Sequence, residues 1–361
     1  MAMDLNKTFD GRRVLITGGT GSLGKQLVNT LLSGRYGCPA KIIIFSRDEA
    51  KQYAMRMLYE RRVNKVSEEI IYNNFKKLLE FRLGDVRDFL SLQGVMRGID
   101  IVINAAALKQ VPSCEYFPHE ASLTNIMGAS NIVRAIEEHA FPVETVVGVS
   151  TDKACLPVNV MGMTKSLQER LFISGNINCP GTRFVCVRYG NVLASRGSVI
   201  PLFREQIKNG GPLTITTADM TRFLLPLNGA VTTIATAISE ANPGETYVPK
   251  IASALITDVA KALIGDRDVP ITTIGIRPGE KIHEMMISPE EGQRAYGRGD
   301  FYAIAPLLPE LRVPQDETLL LGHPYSSHDH VMDYAETLAL LRRHGLMLDD
   351  VREGEDSELL A

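Results

Sequence analysis

The residues with the clearest chemical potential are an adjacent acid and amine, Asp152 and Lys153, in the segment Ser-Thr-Asp-Lys-Ala at 150–154. This segment follows an apolar run typical of a buried strand, and the carboxyl ends of strands in open α/β sheets face the ligand crevice. A neutral lysine, its pKa lowered by burial or nearby positive charge, can act as a base. A protonated aspartic acid beside it can act as an acid. We interpret the pair as catalytic base and acid, and not as a surface ion pair.

A glycine-rich turn near the N-terminus indicates a nucleotide site. The run Val14–Thr17 predicts a strand, and the apolar spacing of Leu27, Leu31 and Leu32 predicts a helix after it. Between them, glycines at every third position let the backbone approach a pyrophosphate at the helix N-terminus. We predict dinucleotide contacts from the residues of this turn: Thr17, Gly18, Thr20, Gly21, Ser22, Leu23 and Gly24.

Residues at the next two strand ends favour NADP over NAD. The second strand ends in Ser46 and Arg47, with Lys51 nearby, and a hydroxyl with cationic groups suits a ribose 2′-phosphate. The alternative is that Asp48 binds a free ribose and Arg47 is a surface charge. After the third strand, in Gly-Asp-Val at 84–86, the carboxylate of Asp85 is placed to accept from an adenine amino group, beside Val86.

The elements that must position these residues alternate between strands and helices. Such alternation predicts parallel βαβ units, and nearly continuous Val, Ile and Leu predict strands covered on both faces. One helical stripe runs from Ile126 to Ala140. The charged stretch 51–78 predicts a helix, a polar turn and a second helix, either projecting toward a neighbouring subunit or forming a solvated excursion. Predicted strands are 14–17, 41–45, 79–83, 99–104, 145–150 and 184–189.

We therefore predict an α/β fold with a Rossmann doubly wound parallel sheet and a smaller mixed C-terminal lobe. The NADP-binding domain would span residues 1–190 and the substrate lobe 191–350, with the option that a late strand returns to the sheet. Strands should become rarer after Asn191, where Gly-Pro turns divide the chain. Residues 351–361 are acidic and unpatterned, which predicts a flexible tail.

Composition excludes several classes of protein. The 361 residues carry 39 Lys plus Arg against 42 Asp plus Glu, which argues against nucleic-acid or anionic-membrane partners. No apolar run reaches the roughly 18 residues of a membrane span, and the first residues lack a signal core. The 5 cysteines contain no C-x-x-C motif and the histidines no metal spacing. We expect a cytoplasmic enzyme without a metal, with Cys155 as a packing residue.

Longer motifs resemble the extended short-chain dehydrogenase/reductase family, and within it the UDP-N-acetylglucosamine 4,6-dehydratases of bacterial polysaccharide and nonulosonic-acid synthesis. The similarity is greatest to the C5-inverting, pseudaminic-acid and capsule-precursor type. It extends from residue 14 to about 330. The motifs are TGGTGSLG (17–24), FSRDE (45–49), GDVRD (84–88), NAAALKQVPSCEYFP (104–118), TNIMGASN (124–131), STDKA (150–154), RYGNVLASRGSVIPLF (188–203), DMTRF (219–223) and GIRPGEKIHE (275–284).

The resemblance implies a three-step reaction with NADP. The sugar C4 hydroxyl is oxidised, water is eliminated across C5 and C6, and a hydride returns to C6. Lys153 would take the C5 proton and Asp152 would protonate the C6 hydroxyl, while Lys165 would hold the nicotinamide ribose. Met161 stands where the family has a tyrosine base, and methionine cannot act as one. We expect Lys153, Thr151 or a water to assist C4 oxidation instead.

Further site residues follow from the same resemblance and from charge. Ala105, Ala106, Thr124, Asn125 and Val192 would contact the cofactor. Basic and polar groups after the strand ends could bind a diphosphate and sugar hydroxyls, with guanidinium groups best suited to phosphate. The predicted substrate residues are Lys109, Asn191, Arg196, Thr216, Arg277, Tyr325 and Ser326.

Several alternatives stay open at this point. The enzyme could retain the C5 configuration, because retaining relatives also carry Val-Met-Gly before the lysine, or it could use another nucleotide sugar. A C4-epimerase would leave Asp152 and Lys153 unexplained. A protein of a different class, a silent NADP-binding sensor or scaffold, would fit the missing tyrosine. We also expect a homo-oligomer, either a dimer or a dimer-based hexamer.

Overall fold

A computed structural model describes residues 4–60, 73–193, 195 and 197–350 of the chain. Its centre is a mixed sheet, mostly parallel, which confirms the predicted doubly wound α/β fold. From one edge to the other, the sheet contains β14 (Ala295–Arg298), β15 (Phe301–Ile304), β10 (Thr246–Pro249), β6 (Arg183–Val187), β5 (Thr145–Val149), β4 (Ile101–Asn104), β1 (Arg13–Thr17), β2 (Lys41–Ser46) and β3 (Leu79–Leu83).

Strand order creates a crevice at the middle of this sheet. All neighbours from β10 to β3 are parallel, while β15 and β14 are antiparallel additions. The chain moves outward from β1 to β2 and β3, and then crosses to β4 on the other side. Thr17 at the end of β1 is in register with Asn104 at the end of β4. Ligands of such sheets bind outside the carboxyl ends of strands at this reversal.

Helices cover both faces because successive strand residues point to opposite sides. One face packs on α1 (Ser22–Leu32), α2 (Glu49–Glu60) and α9 (Leu227–Glu240), and its core includes Val14 and Ile16. The other face packs on α3 (Phe89–Val95), α6 (Gly128–His139) and α7 (Val160–Asn178), and its core includes Leu15. Successive side chains of β1 therefore belong to two different apolar layers, one on each face of the sheet.

The predicted strands agree with the observed ones to within a few residues, but the predicted helical stripe from 126 to 140 is interrupted. Helices α4 (Val111–Tyr116) and α5 (Pro118–Ser122) precede a π-helical turn, Leu123–Met127, and α6 follows. Ala140 lies outside the helix, because its left-handed backbone (φ 48°) ends α6.

The described part of the 51–78 stretch packs on the core and does not project from the sheet. Helix α2 ends at Glu60, residues 73–78 are helical, and Tyr59 stacks on Phe75 with ring centroids 5.4 Å apart. Met55, Tyr59 and Phe75 all belong to one core cluster. The expected projection is therefore wrong for these residues, because Met55, Tyr59 and Phe75 are buried in the core. The predicted polar turn falls within 61–72, outside the described residues.

The expectation that strands become rarer after Asn191 is wrong. Seven of the later strands have only two or three residues, so they lack the apolar runs that mark β1 to β6. Helices here are α8 (Val199–Lys208), α10 (Ile256–Ile264), α11 (Pro289–Gly292) and α12 (Tyr334–Arg343). One small sheet joins β7 (Asn191–Val192), β9 (Thr221–Leu225), β11 (Ser253–Leu255) and β17 (Val331–Met332); the pairs are β8 (Leu213–Ile215) with β12 (Ile271–Thr273), and β13 (Met285–Ile287) with β16 (Tyr325–Ser326).

Three late strands return to the central sheet. β10 pairs with β6 in parallel, and β15 and β14 extend that edge. The sheet is therefore built from residues on both sides of position 190. The division of the chain into two lobes at that position stays a prediction, and residues 351–361 lie outside the described part.

Candidate active site

The glycine turn brings the backbone of β1 against the end of β4. Gly18 has φ +66°, and a Cβ there would lie 2.8 Å from Ala106 Cα. Thr17 Oγ1 donates to Asn104 Oδ1 at 2.7 Å and fixes the two strand ends together. At Gly24, a Cβ would lie 2.3 Å from the carbonyl oxygen of Gly19. The turn thus needs glycine at 18 and 24, where a side chain would collide with neighbouring backbone.

Gly18→Ala should weaken dinucleotide binding by about tenfold or more, since 1.4 kcal/mol is a factor of ten. The added methyl must displace Ala106, and strained backbone should lower the free energy of unfolding by about 1–3 kcal/mol. Titration calorimetry with the oxidised cofactor measures the first effect. Gly11→Ala is the matched control, because Gly11 also has φ +66° but a Cβ there meets nothing within 4 Å. Equal binding losses in both variants would contradict a role for the close approach.

A cleft of about 260 Å³ lies over this turn. Its lining contains the following predicted cofactor residues: Gly18, Thr20, Ser46, Arg47, Asp48, Lys51, Asp85, Val86, Ala106 and Thr124. Gly84, Phe45, Ala107 and Leu108 complete it. Outside this lining are Thr17, Gly21, Ser22, Leu23, Gly24, Ala105, Asn125, Lys165 and Val192. The structure therefore brings together residues after four strands, β1 to β4, that sequence reasoning assigned to one nucleotide.

Charges at one end of the cleft are already partly paired. Asp85 lies in ion-pair contact with Arg87 at 2.7 Å and with Arg47 at 3.7 Å. Burial alone would raise the pKa of Asp85, but the hydrogen bonds and charges of these arginines hold that pKa below its usual value. Asp48 accepts from the amine of Lys51 at 3.1 Å. Arg47 is more than half exposed, so its guanidinium can reach an incoming phosphate.

Two polar residues of the π-helical turn have different positions. Thr124 lines the cleft, and its Oγ1 is buried without a hydrogen-bond partner in the described part of the chain. Asn125 uses its side-chain amide instead to bind both the N–H and the carbonyl of Leu108, and it also donates to Thr164. Thr124 is thus available to a ligand, whereas Asn125 shapes the segment after β4.

Helix α7 carries Lys165 beneath the crevice. Asn159 caps the helix by accepting from the Gly162 N–H at 2.8 Å. Lys165 is almost fully buried and donates to Gln168 Oε1 at 2.8 Å, and burial lowers its pKa to about 8. Met161 is buried in an apolar cluster with Cys114. Its side chain offers no proton acceptor at the tyrosine position of the family.

The predicted acid and base lie side by side after β5, and a third charge joins them. Thr151 caps a 3-10 turn, Asp152–Ala154, and donates from Oγ1 to Asp152 Oδ1 at 2.9 Å. Lys153 Nζ lies 3.1 Å from Asp152 Oδ1 and 3.2 Å from Glu284 Oε1. Asp152 is completely buried and Glu284 nearly so. One ammonium therefore bridges two buried carboxyl groups.

The pKa of Asp152 shifts in the direction that an acid requires, but the pKa of Lys153 does not shift in the direction predicted for the base. Burial raises the pKa of Asp152, which favours a retained proton. Burial would lower the pKa of Lys153, but the charges of Asp152 and Glu284 outweigh it and raise that pKa. The expected lowered pKa of Lys153 is therefore wrong in this arrangement. Burial also opposes ionisation of Glu284, yet Lys153 and two further cations lower the pKa of Glu284.

Sequence reasoning missed Glu284. It is the last residue of the GIRPGEKIHE motif, and only its membership of that motif could have indicated it. Its Oε2 and Asp152 Oδ2 are both buried without hydrogen-bond partners among the described residues. Two acceptor atoms thus remain available in the acid–base cluster.

The structure distributes the predicted substrate residues unevenly. Thr216 Oγ1 donates to Glu280 Oε2 at 3.3 Å, and the N–H of Arg277 donates to the same oxygen at 3.4 Å. The Arg277 side chain is exposed, as is Lys109, while Asn191 in β7 is half-buried. Arg196 lies outside the described residues. Glu280 therefore links two of the predicted groups.

Tyr325 and Ser326 are bound within the fold. The Tyr325 hydroxyl donates to the Ile251 carbonyl at 2.6 Å and accepts from the Ile251 N–H at 2.8 Å. Ser326 Oγ accepts from the His328 N–H at 3.1 Å. The Tyr325 hydroxyl cannot donate to a substrate without breaking its bond to the Ile251 carbonyl, and the assignment of Tyr325 and Ser326 as substrate residues stays a prediction.

A buried ion-pair network ties the late segment to the sheet. Arg188, just after β6, contacts Glu169 of α7 at 2.7 Å and Glu291 of α11 at 2.9 Å. It also donates to the Met286 carbonyl at 2.7 Å. Burial would raise the pKa of Glu291, but Arg188 outweighs it and lowers that pKa to about 2. The network holds β13, and with it Glu284, near the end of β5.

The cysteines of the chain are not paired in disulfides. All 5 cysteines are free thiols, and burial raises the pKa of Cys155 to about 12. Among the described residues, no group of three or more His, Cys, Asp or Glu could hold a metal ion. No helix in that part of the chain is long and apolar enough to span a membrane.

Comparison with known proteins places this arrangement in a family. The sequence model described as "Polysaccharide biosynthesis protein" matches residues 14–306. The chain belongs to that polysaccharide biosynthesis family. The match includes the glycine turn, Asp152, Lys153 and Glu284, but not Tyr325 or Ser326.

Curated relatives of this family member have two different names. A UDP-N-acetylglucosamine 4,6-dehydratase (inverting) of Campylobacter jejuni is 42% identical over 302 residues, covering 82% of this chain and 84% of that protein. A UDP-glucose 4-epimerase of Rickettsia conorii is 44% identical over 301 residues, covering 82% and 83%. These values do not separate a dehydratase from an epimerase, so the site must do so.

Solved structures agree with the fold of this family member. Pen from Bacillus thuringiensis has a TM-score of 0.82 at 32% identity and covers 94% of this chain and 99% of its own. DesIV, a dTDP-glucose 4,6-dehydratase of Streptomyces venezuelae solved with NAD, has a TM-score of 0.64 at 18% identity and covers 94% and 100%. The second likeness shows the fold alone.

Proposed function

We propose that the chain is an NADP-dependent nucleotide-sugar 4,6-dehydratase. It converts UDP-N-acetylglucosamine to a UDP-2-acetamido-2,6-dideoxy-4-keto-hexose with inversion at C5. The observation that carries this proposal is the Asp152–Lys153 pair at the end of β5, in which Asp152 is wholly inaccessible to solvent. An epimerase exchanges a hydride at one carbon and needs no acid and base for losing water. The dehydratase relative in Campylobacter jejuni supports the same choice.

The cleft fits a dinucleotide. Gly18 lets the backbone approach a pyrophosphate, Arg47 offers a guanidinium, and Thr124 Oγ1 is buried without a partner in the part of the chain described. Gly18, Thr20, Ser46, Arg47 and Thr124 would hold it. When bound, NADP+ supplies the oxidation at C4 and the hydride that returns to C6.

The chain's own residues supply the proton transfers. Neutral Lys153 takes the C5 proton as the C5–C6 double bond forms and the C6–O bond breaks, and Asp152 protonates the leaving oxygen to give water. Asp152 already carries its proton, so Lys153, whose side chain is 24% exposed, reaches its neutral form by releasing its ammonium proton to solvent before the reaction. The proton that leaves the C4 hydroxyl balances the one that departs with water, and C5 receives one proton in place of the one it lost.

Met161 leaves the C4 proton to another group. Thr151 Oγ1 lies in the same cluster, 2.9 Å from Asp152 Oδ1, so we propose that Thr151, Lys153 or a water receives this proton. Because of Met161, two alternatives stay open: a dehydratase that retains the C5 configuration, and a dehydratase that uses another nucleotide sugar. A C4-epimerase is a second candidate because of the Rickettsia conorii relative.

One experiment separates these candidates. The protein is incubated with UDP-N-acetylglucosamine in deuterated water, and the early product is examined by mass spectrometry and proton NMR. We expect loss of one water, one deuterium at C5 and the inverted 4-keto sugar. Loss of water with the retained configuration would support the retaining alternative. A product of unchanged mass epimerised at C4 would establish the epimerase, and no reaction with any nucleotide sugar would favour a silent scaffold.

Arg47→Ala should change cofactor preference. Removing the guanidinium should raise the dissociation constant for NADP+ about tenfold or more, because it deletes a charge-assisted contact to the 2′-phosphate. Binding of NAD+ should change little. Titration calorimetry with NADP+ and NAD+ measures both, and Arg97→Ala controls for loss of an exposed arginine elsewhere. Equal weakening for both cofactors would count against the NADP assignment.

We further propose that the protein is a cytoplasmic homo-oligomer. Large apolar side chains are exposed on neighbouring helices, with Tyr116 on α4, Phe117 after it, and Met163 and Leu167 on α7. Contact with a second copy would cover them. Light scattering during size-exclusion chromatography measures the mass of the particle.

A further inference from the structure

The acid–base cluster contains one carboxyl group more than its chemistry requires. Lys153 Nζ lies 3.1 Å from Asp152 Oδ1 and 3.2 Å from Glu284 Oε1, so a single ammonium faces two acids. One ionised carboxylate suffices to neutralise it. The other acid can keep its proton without leaving an uncompensated charge in the interior.

The surroundings of the two acids differ. The positive charges of Lys153, Arg222 and Lys281 all lower the pKa of Glu284, whereas Lys153 is the cation that lowers the pKa of Asp152. Among the described residues, neither additional cation forms an ion pair with another carboxylate: Arg222 donates to carbonyl oxygens, and Lys281 donates to the Cys155 carbonyl at 2.7 Å. More positive charge therefore surrounds Glu284 than Asp152, and this favours the ionised form of Glu284. Asp152 is the more deeply buried group, which favours its neutral form.

The backbone fixes Glu284 in this place. Its N–H donates to Ser327 Oγ at 2.9 Å, and its carbonyl accepts from the Ser327 N–H at 2.8 Å. The next residues form β13, which pairs with β16. The carboxylate is thus delivered to Lys153 by the late part of the chain, from the side opposite β5.

We infer that Glu284 is a positioning residue: it is the fixed counter-charge of Lys153, and it leaves Asp152 free to carry the proton given to the departing hydroxyl. This inference rests on the proposed function, in which Asp152 is the acid and Lys153 the base. Glu284 itself exchanges no proton in the cycle.

A test follows from the sign of the charge. The negative charge of Glu284 raises the pKa of both Asp152 and Lys153, and Arg222 acts on Lys153 in the opposite sense. In Glu284→Gln, both limbs of the bell-shaped pH profile of kcat should therefore move to lower pH, by about one unit or more. Glu284→Asp keeps the charge but shortens its reach, so its limbs should stay near those of the wild type while kcat falls.

The matched control is Glu290→Gln. Glu290 is an exposed carboxylate six positions along the chain, paired with Arg294 on the surface, and its loss should leave the profile in place. A reduced kcat with unmoved limbs in Glu284→Gln would show a merely structural role and overturn the inference.

A second measurement needs no substrate, so it separates this inference from the proposed function. Protein labelled with ¹³C-lysine is titrated by NMR, and the Lys153 signal is assigned with Lys153→Arg. We expect its titration to move to lower pH in Glu284→Gln and to stay in place in Glu290→Gln. An unmoved Lys153 titration overturns the inference. A moved titration in a protein that dehydrates no sugar would uphold the charge arrangement and reject only the reaction.

Discussion

Asp152→Asn is expected to lower kcat for dehydration by about 10²–10⁴-fold, the range for loss of a positioned acid or base. Asparagine has nearly the same shape, but its amide cannot protonate the leaving C6 oxygen. The position is wholly buried, and Lys153 keeps Glu284 as its counter-charge, so the fold should remain. Turnover of UDP-N-acetylglucosamine, followed by mass spectrometry of the product, gives the effect.

Two further measurements make this prediction specific to elimination. The variant should bind NADP+ and UDP as the wild type does, and C4 oxidation, followed by NADPH absorbance in a single turnover, should persist. Asp266→Asn removes an exposed carboxylate and serves as the control. Dehydration at more than a tenth of the wild-type rate would reject Asp152 as the acid.

Arg188→Met should give the largest loss of stability. Methionine fills much of the space, but Glu169 and Glu291 are then left buried without their cation. Removing one partner of a buried ion pair typically costs about 3–5 kcal/mol of unfolding free energy. Denaturant unfolding measures the change. Arg82→Met, which breaks an exposed bridge to Glu80, should cost less than about 1 kcal/mol.

The same network has a pH signature. The folded-state pKa of Glu291 is about 2, below its ordinary value of 4.5. Its contribution to stability is therefore complete above pH 4.5 and disappears as the pH falls toward 2. The difference in unfolding free energy between wild type and Arg188→Met should narrow over that interval. A difference independent of pH would show that Glu291 is not paired as described.

The sheet could be predicted because long buried strands leave a strong apolar signal. The strand expected at 79–83 has those bounds in the structure, and others differ by one to three residues. Among the later strands, β7, β16 and β17 escaped prediction because they have two residues each, too few to show a period. The end of α6 before Ala140 was not predicted, because the apolar side chain of Ala140 continues the helical spacing. Its left-handed backbone conformation nevertheless ends the helix.

The residues of the candidate site also divide into those that could be predicted from the sequence and those that could not. The residues that follow long strands, such as Gly18, Arg47 and Asp152, could be assigned because parallel strands end at one edge. Glu284 and Arg188 could not, because their roles depend on contacts between distant parts of the chain. The predicted pKa direction of Lys153 was wrong for that reason. The sequence indicates that Lys153 follows a buried strand, but it does not indicate that Glu284, just before β13, lies beside it.

The late return of β10 also has a consequence for dissecting the protein. β10 pairs with β6, an apolar strand that is buried along nearly its whole length. A fragment ending near residue 190 would leave β6 with a bare row of backbone donors and acceptors. Exposed edges of this kind recruit strands from other molecules. The N-terminal half should therefore self-associate when made alone, and cofactor-binding studies on this protein require the full chain.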